Sequence, residues 1–179
     1  IHGKQDGLVL VDQKAAQARV IFERLLQALQ DNLSDPLFSQ SLLIPDTLEL
    51  SKPDAALLTG CLADLSKIGW QIREFGPQTF LIEGVPSFMS DCSTKDYLTQ
   101  LLNELRENPI KKDSKNDKMR QLALSASRNN MSMNKKISLE EAQILVDKLM
   151  QTSAPYQSPF GKLTLTIFSQ DDLLQFFKG

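Results

Sequence analysis

Apolar residues recur along this chain with two periods, and the shorter one predicts its strands. Apolar runs that end at polar or turn-forming residues predict strands at 8–11, 42–50, 70–75, 79–83 and 163–168. The first of these runs is typical of a buried strand. Gly76 and Pro77 separate the third run from the fourth and predict a hairpin. Because Pro45 lies inside the second run, that strand is expected at a sheet edge or with a bulge.

Apolar residues that recur every three or four positions predict helices between these strands. The helices are expected over about 14–30, 51–68, 94–108, 138–151 and 169–177. Ser138 and Glu141 have the spacing of a capping box, and Gly69 is a natural stop for the second helix. Residues 111–120 are rich in Lys, Asp, Ser and Asn, which predicts a boundary or a surface loop.

The composition narrows the class of protein. Of the 179 residues, 41% are hydrophobic and 23% are charged, as in ordinary globular proteins. The net charge of -2 argues against binding to DNA through overall charge. Two cysteines, Cys61 and Cys92, are too few for a disulfide framework and fit a reducing compartment. Cys61 lies on the apolar stripe of its helix and is expected in the core.

The same numbers bear on localisation. No apolar run is long enough to span a bilayer, so we expect a cytoplasmic protein without a membrane partner. Because the chain begins at Ile1 and not at a methionine, we also expect it to be a piece of a longer protein.

A strand-to-helix junction carries the most informative residues of the chain. Asp12 and Gln13 follow the first apolar run, and a helix is predicted to begin at once. With the residues after them, they resemble the endonuclease motif of MutL-type mismatch-repair proteins, Asp-Gln-His-Ala-x-x-Glu-x-x-x-x-Glu. Lys14 stands at the His position and Ala18 at the first Glu position, whereas Glu23 matches the last position.

Three later segments resemble the same family in the same order. Residues 40–50 are similar to its Gln-x-x-Leu-Ile-Pro-x-x-Leu-Glu-Leu segment, and residues 68–76 to its Leu-Gly-Phe-x-Ile-x-x-Phe-Gly segment. Residues 79–86 are similar to the Phe-Leu-Val and Val-Pro stretch that follows. Each segment alone is a weak signal, because apolar runs with glycine stops are common. Four segments in the right order identify the chain as a member of this family over nearly its whole length.

The resemblance implies a two-lobed α+β architecture. A dimerisation lobe would be formed by residues 1–41 and 112–179, with an outer α/β lobe, residues 42–111, inserted between them. The family also has a separate N-terminal ATPase region, which would use ATP and magnesium. No Gly-rich phosphate loop occurs in this chain, so no cofactor is expected in this domain.

The resemblance also bears on enzymatic activity. In nuclease-competent relatives the opening motif acts with two late motifs, Ala-Cys-(Arg/His)-Lys and Cys-Pro-His-Gly-(Arg/Lys)-Pro-Thr. Their counterparts here are residues 126–129 and 158–164. Ser127, Ser158 and Phe160 stand where thiolate and imidazole metal donors are expected. We therefore expect neither a catalytic residue nor a bound metal. The remnant of the opening motif consists of Asp12, Gln13 and Glu23.

Two interpretations of that remnant stay open. In the first, Asp12 caps a helix, Glu23 is a solvated helix residue, and the domain is an interaction module. In the second, the domain is a divergent metal-dependent DNA nicking endonuclease that uses Asp12, Glu23 and replacement donors.

The segment Gln40–Pro45 fits the family's Gln-x-x-Leu-x-Pro motif for docking into the sliding clamp of replication. An extended peptide of this kind would bind through the polar Gln40 and through Leu43 in an apolar pocket, with Ile44 beside it. Pro45 restricts the backbone to extended forms and so lowers the entropy lost on binding. Alternatively, Leu43 is a core residue at the start of a strand, and the sequence leaves both interpretations open.

The resemblance further implies a homodimer that works with other repair proteins near the nucleoid. We expect the dimer interface among apolar residues of the terminal strand and helix, namely Leu163, Leu165, Ile167, Phe176 and Phe177. The mismatch-recognition protein MutS is an expected partner, and DNA would be bound through the longer protein. A third interpretation is a sequence-independent DNA-binding module centred on the basic residues of 111–120, although charged loops are more often simply solvated.

Overall fold

The computed structural model describes residues 7–31, 39–89, 93–108, 115–128 and 136–175. In chain order these form β1 (Gly7–Val11), α1 (Gln13–Asp31), β2 (Ser39–Glu49), α2 (Lys52–Thr59), α3 (Leu62–Lys67), β3 (Gln71–Gly76), β4 (Thr79–Pro86), α4 (Thr94–Glu107), α5 (Lys115–Arg128), α6 (Leu139–Met150), β5 (Leu165–Ser169) and α7 (Gln170–Gln175). The mixture of helices and sheets confirms the predicted α+β class. No helix in these ranges is long and apolar enough to cross a membrane.

Contacts within the chain divide it into two compact units. Residues 1–20 and 136–179 form the first unit, and residues 21–135 form the second. Both ends of the chain therefore belong to one unit. The lobe boundaries implied by the family resemblance, 41/42 and 111/112, rest on that resemblance and stay a prediction.

The first unit is built on a two-stranded antiparallel sheet. β1 pairs with β5, so that Val9 lies opposite Ile167 and Val11 opposite Leu165. The start of α1 and one face of α6 pack on this sheet through a small apolar core. That core consists of Ala16, Val20, Leu145, Leu149 and Leu165, with Val11 and Ile137 partly buried against it. The capping box predicted for α6 is present, because Ser138 Oγ accepts from Glu141 N at 3.1 Å and Ser138 N donates to Glu141 Oε2 at 2.8 Å.

The second unit has a three-stranded antiparallel sheet in the order β2-β4-β3. The hairpin predicted around Pro77 is formed by β3 and β4, and β2 is an edge strand with a bulge, as Pro45 indicated. A larger core lies in this unit. At its centre the rings of Trp70 and Tyr97 are 5.5 Å apart between centroids, and the Tyr97 hydroxyl donates to Ala126 O at 2.6 Å.

The single helix predicted over 51–68 is wrong, because two helices lie there. α2 ends at Thr59, and the N–H of its C-cap Gly60 donates to Ala56 O. The next amide, Cys61 N, donates to Leu58 O at 2.9 Å in a tighter turn. Glycine is among the weakest helix formers, so a break at this position is inexpensive. The apolar periodicity continues across the break, so the sequence pattern predicted one continuous helix. Cys61 is buried as predicted, and burial raises the pKa of its thiol.

The surface loop predicted over 111–120 is wrong for its second half, because α5 begins at Lys115. Residues 111–114 lie outside the described part of the chain. The apolar stripe of α5, Met119, Leu122, Ala123 and Ala126, is buried in the core of the second unit. These residues follow helical spacing, but the charged and amide residues around them dominate the local composition. α7 is described as far as Gln175, so Phe176 and Phe177 lie beyond the described residues.

Candidate functional site

Asp12 occupies the junction between β1 and α1 and acts as a helix cap. Its amide donates to Thr164 O at 2.8 Å, which continues the contact between the two strands. Its Oδ1 accepts from Ala15 N at 2.9 Å, and its carbonyl accepts from Ala16 N at 2.9 Å. The carboxylate thus satisfies an amide that no helical carbonyl can reach, as the interaction-module interpretation expects.

The other positions of the opening motif do not complete a metal site around Asp12. Lys14 is exposed, and Ala18 is buried without a donor atom. Glu23 lies about three helical turns further along α1, roughly 16 Å from Asp12 at the rise of an α-helix. Oxygen ligands of a cation lie within about 2–2.6 Å of it, so these two carboxylates do not share one ion.

The late motif in the first unit forms a loop closed by its own hydrogen bonds. Ser158 is buried, and its hydroxyl oxygen accepts from Phe160 N at 3.3 Å and from Lys162 N at 3.0 Å. Ser158 N in turn donates to Lys162 O at 2.7 Å, and Gly161 has a φ of 82°. Where nuclease-competent relatives would hold a thiolate, a serine instead organises the backbone of the loop.

A buried arginine that the sequence did not single out connects α1 to this loop. Arg19 is buried, and its Nε donates to Gln157 O at 2.6 Å. A charged residue between the apolar Ala18 and Val20 was the only signal for it. A guanidinium group so close to the motif adds fixed positive charge, which disfavours a cation there.

The other late motif lies on α5 in the second unit. Ser127 is fully buried, and its hydroxyl donates to Leu124 O at 2.9 Å within the same helix. This bond satisfies the hydroxyl without a partner from outside the helix. Among the residues that the structure describes, no three His, Cys, Asp or Glu side chains come together in a group that could hold a metal ion.

The segment Gln40–Pro45 lies on the edge strand β2, where Gln40 and Ser41 pair with β4 and residues 42–45 form the bulge. Ser41 is opposite Gly84 and Asp46 is opposite Ile82, so the four residues between them face Glu83 alone. This excess of residues lifts the segment away from the sheet. Leu43 is 102% exposed and Ile44 is 83% exposed, whereas the neighbouring Leu42 packs against the core. The alternative that Leu43 is a core residue is therefore wrong.

The predicted interface residues of the first unit differ in exposure. Leu163 and Ile167 are exposed, at 68% and 59%, but Leu165 is buried in the core of its own unit and has little surface to offer. Phe176 and Phe177 are outside the described residues. The strand predicted over 8–11 is present as β1, but its predicted burial is wrong, because Leu8, Val9 and Leu10 are each about half exposed in the single chain. The sequence pattern therefore contained no sign that β1 could be part of an interface.

The basic residues proposed as a DNA contact are partly engaged within the second unit. Lys118 Nζ lies 2.9 Å from Asp64 Oδ2 and 3.2 Å from Gly60 O, and its bond to Asp64 raises the pKa of Lys118. The guanidinium of Arg120 lies over the ring of Phe22, 5.4 Å from its centroid. Lys118 thus binds the carboxylate of Asp64 and the carbonyl at the helix break. Its charge is therefore less available to bind a DNA phosphate.

The chain has an α+β fold, and its two-stranded sheet exposes apolar side chains. Exposed apolar surface of this kind is typical of domains that associate with another chain. A family model described as the MutL C terminal dimerisation domain matches residues 1–137. The chain belongs to this family, the C-terminal dimerisation domains of MutL mismatch-repair proteins.

Curated relatives agree with this assignment. The chain is 35% identical over 178 residues to the DNA mismatch repair protein MutL of Desulforamulus reducens, which covers 99% of the chain and 27% of that protein. It is 33% identical over 172 residues to the protein of the same name from Prosthecochloris aestuarii, which covers 96% of the chain and 27% of that protein. The chain thus spans about a quarter of the length of the curated relatives it matches.

The capping role of Asp12 leads to a stability prediction. Asp12→Ala removes the acceptor for Ala15 N and should lower the free energy of unfolding by about 1 kcal/mol. Asp12→Asn keeps an acceptor and should lower it by less. Urea denaturation followed by circular dichroism measures both. Lys14→Ala is the control, because Lys14 is exposed in the first turn of the same helix. Its free energy of unfolding should stay within about 0.5 kcal/mol of that of the parent chain. Equal losses for Asp12→Ala and Asp12→Asn would contradict the capping role.

Proposed function

We propose that this chain is the homodimerisation and partner-recruitment region of a MutL-type mismatch-repair protein, without endonuclease activity of its own. The observation that carries the dimer is the sheet of the first unit. An isolated two-stranded sheet is marginally stable in water, and this one exposes apolar side chains on both strands, with Val9 at 51% and Ile167 at 59% directly opposite each other. A second copy of the same surface would cover them.

Symmetry makes a second copy the natural partner. Most homodimers use the same patch of both subunits about a two-fold axis. The exposed apolar side chains of one copy would therefore pack against the same side chains of the other copy. The exposed apolar residues of this part of the first unit are Leu8, Val9, Leu10, Leu163 and Ile167. Because successive side chains of a strand point to opposite faces, Val9 and Ile167 share one face of the sheet, and Leu8 and Leu10 lie on the other. Leu163 and Ile167 were predicted for the interface from the resemblance, and Val9 lies beside Ile167.

A charge in this surface should therefore separate the two copies. The parent chain is expected to sediment as a dimer at micromolar concentration. Ile167→Asp should raise the dissociation constant at least roughly tenfold, because a carboxylate would be buried without a partner. The control is Ile44→Asp, which places the same charge on an exposed apolar residue of the second unit and should leave the dimer intact. A monomeric parent chain, or equal effects of both changes, would refute the proposed interface.

The lack of endonuclease activity is supported by what the motif residues do instead. Asp12 caps α1, Ser158 holds its loop, and Ser127 is bonded within α5. No donor set for zinc or manganese replaces the thiolate and imidazole groups in the described part of the chain. We expect no tightly bound metal in this domain. The ATP and magnesium of the family would act in the N-terminal region of the longer protein.

A nicking assay separates this proposal from the alternative enzyme. Purified protein should contain far less than one equivalent of zinc and should leave supercoiled plasmid uncut when manganese is added. A nuclease-competent MutL region under the same conditions is the positive control. Manganese-dependent nicking that Asp12→Asn abolishes would instead establish a divergent endonuclease built on the remnant motif.

Recruitment is proposed to work through the exposed bulge of β2. An apolar side chain as exposed as Leu43 gains from entering a partner's pocket, since burying it removes its whole surface from water. Pro45 shapes the backbone beside it, and the exposed Gln40 supplies a polar contact. We assign this segment to the replication sliding clamp. MutS and DNA are proposed as further partners of the longer protein.

The docking segment can be tested without harming the fold. The double substitution Gln40→Ala and Leu43→Ala should abolish clamp binding, measured by crosslinking or by surface plasmon resonance at high concentration, because small interfaces bind weakly. Both side chains are exposed, so the melting temperature should stay within about 1–2 °C of the parent chain. Leu42→Ala, which removes a side chain packed on the core, should lower the melting temperature instead. Clamp binding that survives the double substitution would rule out this docking mode.

A further inference from the structure

One side chain crosses the sheet of the second unit next to the docking segment. Gln71, at the start of β3, donates a hydrogen bond from Nε2 to Ser39 Oγ on β2 at 2.9 Å. β4 lies between these two strands, and its residue opposite Gln71 is Gly84. A Cβ added to Gly84 would lie 2.8 Å from both Cδ and Oε1 of Gln71. The bridge therefore passes directly over Gly84 and needs a residue without a side chain there.

We propose that this bridge positions the docking segment: Gln71, running over Gly84 to Ser39, holds the strand that leads into Gln40–Pro45 and so raises its affinity for the partner's pocket. The proposal rests on the docking function proposed above. Gln71 and Gly84 need not touch the partner, so they are positioning residues.

The strand pairing beside the bulge explains why the Gln71–Ser39 hydrogen bond would restrict the docking segment. Among the described residues before the bulge, Ser39, Gln40 and Ser41 pair with β4, and pairing resumes at Asp46. The exposed segment thus lies between two paired stretches of β2. The Gln71 bond attaches Ser39, in the stretch before the bulge, to the far strand of the sheet. Because the segment then loses less conformational freedom when it binds, the affinity rises without any new contact.

Gly84→Ala breaks the bridge without altering either of its hydrogen-bonding groups. The three atoms nearest to the new Cβ all belong to the flexible side chain of Gln71, which can swing aside, so the fold should tolerate the change. We expect the dissociation constant for the clamp to rise roughly two- to fivefold, as the loss of one exposed hydrogen bond suggests. Gly76→Ala is the matched control, because its Cβ would lie 3.6 Å from Thr79 Cβ, an ordinary contact in the same sheet. It should bind as the parent chain does.

A second pair of variants tests the bond itself. Ser39→Ala removes the acceptor and should weaken binding by the same factor, whereas Ser39→Thr keeps a hydroxyl and should restore it. Amide hydrogen exchange supplies a readout that does not depend on the clamp. The amides of residues 40–44 should exchange faster in Gly84→Ala and Ser39→Ala than in Gly76→Ala and Ser39→Thr.

The outcomes distinguish this proposal from the one it rests on. If the parent chain binds the clamp through Leu43 but Gly84→Ala and Ser39→Ala bind equally well, docking stands and the positioning role is refuted. If Gly76→Ala weakens binding as much as Gly84→Ala, the effect is a general loosening of the sheet and the positioning role also fails. If the parent chain does not bind the clamp at all, both proposals fail together.

Discussion

The pairing of β1 with β5 is the contact on which the first unit depends. It joins residues from opposite ends of the chain, with Val11 opposite Leu165, and the backbone bond from Asp12 N to Thr164 O extends it to the start of α1. The core of the same unit joins Ala16 and Val20 of α1 to Leu145 and Leu149 of α6 beside this pairing. Loop-closure entropy grows slowly with loop length, so a whole compact unit can lie between the paired strands in sequence at small additional cost.

Local patterns were sufficient where the structure obeys local rules. The hairpin around Pro77, the capping box at Ser138 and the buried position of Cys61 all follow from spacing and turn chemistry. The break at Gly60 and the helix α5 did not. At Gly60 the apolar stripe runs through the break without changing phase, and in α5 many polar residues surround a stripe of mostly small apolar ones. At Gly60 the weak helix propensity of one residue is outweighed in the pattern by the apolar stripe around it, and the burial of the α5 stripe in the core of the second unit is not contained in any local window.

The candidate sites divide in the same way. The loss of metal donors at Ser127, Ser158 and Phe160 was readable from residue types, because a hydroxyl or a phenyl ring cannot replace a thiolate or an imidazole. The exposure of Leu43 was not readable. Strand alternation assigns a residue to a face only while the register is constant, and the bulge places four residues opposite one. The roles of Arg19 and Gln71 depend on partners distant in sequence and could come only from the structure.

The apolar side chains exposed on the sheet of the first unit link dimerisation to stability. If a second copy covers this sheet, as proposed above, binding to the folded state alone adds stability that rises with the concentration of the chain. The buried core described for this unit is small, Ala16, Val20, Leu145, Leu149 and Leu165, so a contribution from the partner would be a large share of its stability. Dilution would then weaken the first unit more than the second, whose described core is larger.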